Sequence, residues 1–259
     1  MAFYDHYNYQ RYWRGREYEH EAELIALEKL FSRVPKKNRQ TILDLGAGFG
    51  RLAPIYANRF ASCVLVEPSQ KLINQAKRRL DYQNLKFKPG RGENFQIKTK
   101  FDVVLTVRVA HHIQDLPAFL KNINHHLKND GFLILEFANK TNFKARLKAL
   151  FRGDWSFSKD LTSTDRRSPA NINQRTILFL NHHPQKIRQD LEQSGFEIVT
   201  QLSVSNFRFP ILKKLIPTGV LLRGEKALQS FLGKIGFGPS IFILAQKIDS
   251  PKLTIQSLE

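Results

Sequence analysis

The sequence predicts an α/β fold: a doubly wound, mostly parallel seven-stranded sheet with helices on both faces and a helical cap insertion. Three observations predict it. Short apolar runs at 41–45, 62–66, 85–88, 101–106 and 132–137 alternate with helical patterns near 51–60, 69–80 and 116–127, the rhythm of strand–helix–strand units. Two further strand-like runs, 196–204 and 239–247, raise the count to seven. The first strand runs directly into a glycine turn, TILDLGAGFG at 41–50. Finally, 259 residues with 42% hydrophobic side chains suffice for one large core plus a cap.

The elements follow in order. Residues 1–40 form a leading segment and a helix. The segment concentrates Tyr4, Tyr7, Tyr9, Tyr12 and Trp13 beside Arg14 and Arg16; a lid over a ligand and simple packing of a leading segment both fit. Residues 16–32 place Leu24, Leu27, Leu30 and Phe31 on one helical stripe, ended by Pro35 and KKNR. Residues 41–139 carry the five alternating strands, and Pro117 suits the first turn of the 116–127 helix. Residues 140–183 break the rhythm with a short basic amphipathic helix, NFKARLKALFRG, and a polar, turn-rich stretch that caps the carboxyl edge. In 184–247 a helix at 184–194, with Pro184 at its start and Gly195 as its stop, restores order. Between the last two strands lies an apolar and basic helical insertion at 206–236, expected to complete the cap or touch a lipid surface. The tail, 248–259, reads as loose.

The turn carries the chemistry. Gly46, Gly48 and Gly50 let backbone approach a ligand, and Glu67, twenty-one residues after Gly46, ends the second strand with a carboxylate suited to ribose hydroxyls. A dinucleotide turn wants GxGxxG and has no use for an acid two residues before its first glycine. Here the spacing is GxGxG, and Asp44 occupies that place, where a cationic ligand would be welcome. The stretch 41–137 resembles the class I S-adenosylmethionine-dependent methyltransferases, specifically the small-molecule branch. The matching residues are DLGAGFG at 44–50, VEPS at 66–69, FDVVLTVRVAHHI at 101–113 and LKNDGFLILEF at 127–137. The resemblance implies a Rossmann-like sheet and S-adenosyl-L-methionine as cofactor. It implies cofactor contacts from Asp44, Gly46, Ala47, Gly48 and Gly50 in the turn and from Glu67 and Pro68 after the second strand. Gly92 and Glu93 follow the third strand, and Arg108 follows the fourth, where an arginine could take a carboxylate bidentately. One departure stands out: Arg91 replaces the family's adenine-reading acid.

Methyl transfer needs an aligned acceptor and, for a hydroxyl or acidic carbon, a base. His111 and His112 follow the fourth strand; by the resemblance His112 holds the more architectural position and His111 the more variable one, so His111 is the first candidate. His182 and His183 come second. His125 and His126, at a helix end, read as solvated. Glu136 and Asn139 border the fifth strand's end, either lining the acceptor pocket or pairing with Arg108. Neighbouring histidines rarely chelate one ion, and no CxxC or HExxH spacing occurs, so no metal is expected.

Net charge is +18 and uneven. Residues 140–189 hold eleven lysines and arginines against Asp154, Asp160 and Asp165, and 206–236 holds six against Glu225. A nucleic-acid face, an anionic membrane face and a solubilising face are the competing readings. No DPPY or NPPY run and no active-loop cysteine supports a nucleic-acid methyltransferase. The expected activity is therefore O- or C-methylation of a small-molecule or lipid-precursor acceptor by in-line displacement. An RNA methyltransferase and a non-catalytic cofactor-binding protein are the alternatives. No apolar run approaches the roughly 20 residues of a spanning helix, and Cys63 cannot pair within the chain. A cytoplasmic location is expected, with peripheral contact with an anionic membrane as an option.

Overall fold

The computed structural model describes residues 9–174 and 176–248. Tyr4 and Tyr7 of the expected lid, and the tail from 249 on, lie outside the described residues. The elements are α1 (Tyr9–Tyr12), α2 (Glu17–Arg33), β1 (Thr41–Leu45), α3 (Ala53–Ala57), β2 (Ser62–Glu67), α4 (Gln70–Arg79), β3 (Leu85–Pro89) and β4 (Phe101–Thr106). They continue with α5 (Leu116–His126), β5 (Leu127–Ala138), α6 (Phe143–Leu150), β6 (Thr164–Asp165), α7 (Pro169–Asn173), β7 (Leu180–Asn181) and α8 (Pro184–Gln193). Last come β8 (Phe196–Val204), α9 (Pro210–Leu215), α10 (Thr218–Lys234) and β9 (Ser240–Lys247).

Seven strands form one sheet in the order β3-β2-β1-β4-β5-β9-β8. The first five are parallel; β9 runs antiparallel between β5 and β8. Strand order reverses between β1 and β4, so a crevice opens there beyond the carboxyl ends. The strands are apolar on both faces because both faces are covered. In β1, Leu43 and Leu45 join the core under α5 and α8 with Phe119, Leu120 and Leu191. Ile42 joins the other, with Leu27, Leu30 and Phe31 of α2 and Tyr56 of α3. Side-chain oxygens start the helices near the crevice: Ser69 accepts from the Leu72 N–H at 3.2 Å and Asp115 from that of Ala118 at 3.0 Å.

The structure differs from the sequence reading in four places. Helix α3 covers only 53–57. Strand β5 begins at Leu127 rather than 132. Its KNDG stretch is a bulge that shifts register between Phe101 and Val103, with Asp130 at φ 57°. Helix α10 is no cap. It packs on α2 and β8 and buries Leu221, Glu225, Gln229 and Leu232, so it belongs to the layer that covers the sheet. His126 is buried rather than solvated: Nδ1–H donates to the Asn122 carbonyl at 2.8 Å. Among the described residues no helix is long and apolar enough to cross a membrane.

Candidate active site

The glycine turn after β1 is held by what surrounds it. Gly46, Gly48 and Gly50 have φ of 75°, 58° and 71°, a region open to glycine and strained for other residues. A Cβ on Gly46 would lie 2.3 Å from Val109 Cγ2, and one on Gly50 2.4 Å from Leu80 Cδ1. The N–H groups of Gly46 and Ala47 donate to the Val66 carbonyl at 2.8 and 3.2 Å. Buried Glu67 ties the turn to β2: Oε2 accepts from the Gly48 N–H and Oε1 from the Ser69 N–H, both at 2.9 Å. Asp44 is buried and accepts from the Tyr56 hydroxyl at 2.7 Å. Burial pushes its carboxyl up to about 7, helped by nearby Glu67 and opposed by Tyr56 and Arg51. Pro68 follows directly, half-buried. In the loop after β3, Gly92 packs near Phe119 and Val109, while Arg91 and Glu93 are exposed.

Above the turn sits a cluster that sequence reasoning missed. Buried Glu23 of α2 takes Arg51 on Oε2 at 2.5 Å and Arg108 on Oε1, at 2.9 Å from Nε and 2.5 Å from Nη2. Burial alone would raise the Glu23 pKa, but the two guanidiniums outweigh it and hold the carboxylate ionised. Both guanidiniums stack on the Trp13 ring, Arg51 at 3.7 Å and Arg108 at 4.7 Å from its centre. This brings Trp13 of the expected lid, with Tyr12 beside it, over the loops that follow β1 and β4. Arg108 has φ 61°, and its N–H donates to Glu136 Oε2 at 2.7 Å. Its guanidinium, expected to meet a ligand carboxylate, is committed to Glu23. The available signals were an acid on the apolar stripe of α2 and an arginine directly after the glycine turn.

Beyond Arg108 opens a cavity of about 590 Å³ walled by His111, Glu136, Phe179, Ser205, Ser240 and residues of α6, among others. His111 is buried in the turn Ala110–His112, its ring 4.0 Å from that of His112 and 4.5 Å from Phe179. Burial, then the neighbouring His112, Arg108 and His182, push it well below the usual histidine range, so it is neutral. His112 turns away, and its Nδ1–H donates to the Leu178 carbonyl at 2.5 Å. Glu136 lines the cavity as well as meeting Arg108; burial raises its carboxyl, and Oε1 accepts from the Ser240 hydroxyl at 2.6 Å. Asn139 does neither: Nδ2 donates to the carbonyls of Gly236 and Gly238 at 2.8 Å each. The second pair of histidines is occupied. His182 bridges Ser163 at 2.9 Å and the Ala110 carbonyl at 3.1 Å. His183 caps α8 by accepting from the Gln185 N–H at 3.1 Å, and meets the Ser158 carbonyl at 3.1 Å. Among the described residues no three His, Cys, Asp or Glu side chains gather where a metal ion could sit.

A family model described as a methyltransferase domain matches residues 12–201. The chain belongs to the methyltransferase domain family. S-Adenosylmethionine is the cofactor that goes with this family and fold. The chain is 28% identical over 140 residues to (S)-coclaurine N-methyltransferase of Papaver somniferum, covering 52% of this chain and 40% of that protein. It is 34% identical over 112 residues to a ubiquinone biosynthesis O-methyltransferase of Pelagibacter ubique, covering 42% of this chain and 46% of that protein. It thus spans less than half the length of either relative. Two solved structures share its fold. The S-adenosylmethionine-dependent methyltransferase of Mesorhizobium loti has a TM-score of 0.61 at 12% identity, covering 86% of this chain and 98% of that one. That of Clostridium acetobutylicum has 0.54 at 15%, covering 89% and 92%.

The residues of this chain fit that cofactor. A buried carboxyl with a raised pKa, Asp44, calls for a cation beside it. Glu67 is a buried carboxylate at the end of β2 beside the turn, the kind of group that takes ribose hydroxyls, and the Gly46 and Gly48 backbone leaves no side chain in the way.

Proposed function

We propose that the chain transfers a methyl group from S-adenosylmethionine to an oxygen, or an acidic carbon, of a small-molecule or lipid-like acceptor. The observation that carries the reading is His111, neutral and buried in the wall of the cavity beside the glycine turn. When bound, the cofactor supplies an electrophilic methyl on a sulfonium. Asp44 and Glu67 would hold its cationic and ribose parts, and the turn glycines would let it lie against backbone. Trp13 and Tyr12 would exclude water from above. His111 would take the acceptor's proton on a ring nitrogen as the acceptor's electron pair attacks the methyl in line and the carbon–sulfur bond breaks.

The named relatives include both N- and O-methyltransferases. An amine acceptor arrives largely protonated at neutral pH, and the cavity's Lys144, Lys148 and Arg152 would oppose it. A hydroxyl or carbon acid meets no such opposition. The test is incubation of the protein with isotopically labelled cofactor and cell extract, with the labelled product identified by mass spectrometry. His111→Ala is expected to lower turnover by about 10²–10⁴-fold while sparing cofactor affinity. Wild-type rates in that variant would move the base elsewhere, with Glu136 next.

A further inference from the structure

Helix α6 sets cations along the cavity and leaves apolar side chains exposed elsewhere on its surface. Lys144, Ala145, Lys148 and Ala149, continued by Arg152, follow one helical stripe and line the cavity. The opposite stripe leaves Leu147, Leu150 and Phe151 exposed at 38%, 50% and 81%. A surface helix ordinarily buries its apolar stripe, whereas here the apolar and the cationic stripe both reach solvent. Two more cations, Arg166 and Arg208, join the wall from other segments. Among the described residues none of these five forms an ion pair with an acid. The other two cations of the wall are committed, Arg108 to Glu23 and Lys140 to Asp160.

Two acids stand in the same wall, Glu136 and Asp154. Burial disfavours the charge of Glu136. Asp154 is turned to its own loop, where Oδ1 accepts from the Ser156 hydroxyl and the Phe157 N–H at 2.8 and 3.1 Å. The five cations reach solvent, so their mutual repulsion is screened, but around about 590 Å³ they present one sign of charge to whatever enters. A single carboxylate would balance one of them. A group with two or more charges and several acceptor oxygens balances more, and arginine pairs with such oxygens in a bidentate way.

We propose that the acceptor carries a phosphate or diphosphate group, seated on Lys144, Lys148 and Arg152 of α6 and faced by Arg166 and Arg208. Calling the ligand the acceptor rests on the methyl-transfer reading above; the anion site itself does not. The chemistry is shared by a soluble phosphate ester and a lipid headgroup, and the experiment separates them.

The full chain is titrated with inorganic pyrophosphate by calorimetry at low and moderate salt, with and without S-adenosylhomocysteine. Binding is expected, weaker at higher salt. Lys148→Gln with Arg152→Gln is expected to weaken it about tenfold or more, with S-adenosylhomocysteine affinity and Tm unchanged. Lys159→Gln with Arg188→Gln, two exposed cations outside the cavity wall, is expected to leave it unchanged. Absence of pyrophosphate binding, or an equal loss in both double variants, would overturn the site. Pyrophosphate binding without S-adenosylhomocysteine binding would leave the site standing and remove the methyl-transfer reading. Phosphatidic acid vesicles, compared with phosphatidylcholine vesicles, identify a lipid source if they bind and pyrophosphate displaces them. A soluble source is identified if pyrophosphate binds and the vesicles do not. Vesicle binding that pyrophosphate fails to displace would overturn the assignment, moving the cations to a membrane face.

Discussion

Asp44 shows how a single side chain can report on its ligand. Its folded pKa is raised from the ordinary 3.8 to about 7 by burial. Below 3.8 the group is protonated in both folded and unfolded chains. As pH rises toward 7 the unfolded chain ionises it first, so its contribution to stability falls across that interval. A sulfonium or ammonium beside it favours the ionised form, so cofactor binding should release a proton. S-Adenosylmethionine affinity is expected to strengthen from about pH 6 to about pH 8 and to lose that dependence in Asp44→Asn. Calorimetry in two buffers of different protonation enthalpy measures the proton directly; equal heats would remove Asp44 from the cation site. Asp44 and Glu67 were legible in the sequence because local register puts them at strand ends beside a turn. Glu23 was not. Its partners lie 28 and 85 residues away, and periodicity alone ranks an acid on an apolar stripe as an imperfection.

At the scale of elements, α2 does more than cover the sheet. Glu23→Gln would leave two guanidiniums facing a neutral amide. Breaking a buried pair typically costs about 3–5 kcal/mol. The Arg108 and Arg51 side chains are 22% and 9% exposed, so a loss near the lower end, about 3 kcal/mol, is expected in denaturant unfolding. Cofactor affinity should fall with it, because the same carboxylate orients both arginines and the Trp13 they hold. A variant as stable as wild type would show the pair to be dispensable. Helix α2 announced itself by its leucine stripe; 206–236 also reads as helical, but the packing of α10 on the sheet does not follow from sequence, because much of its buried face is polar. Glu225 accepts from the Tyr18 hydroxyl at 2.7 Å and the Ser205 N–H at 2.8 Å, and Gln229 donates to the Ala22 carbonyl at 2.9 Å. A helix whose inward side chains are an acid and an amide reads in sequence like one facing solvent. The pattern of α6 misleads differently, since its leucines stand exposed and its lysines, exposed as well, line the cavity.

For the whole molecule, the parallel half of the sheet follows from sequence because each strand, turn and helix there is a local unit. The placement of β9 between β5 and β8 does not, since it is set by pairing across more than a hundred residues; Phe132, for instance, lies opposite Gln246. That placement has a consequence for how the protein is made. On the ribosome the five parallel strands and β8 all emerge before β9. Until then β5 has an open edge and β8 has no neighbour in the sheet, two aggregation-prone edges at once. A chain stopped after residue 238 is expected to be insoluble or rapidly cleaved by protease, although it keeps every residue of the glycine turn. Recovery of a folded, cofactor-binding truncation would show that the parallel half stands alone. Ser240, which holds Glu136 in the cavity wall, arrives with that same strand, so the nascent chain completes that wall only as its sheet closes.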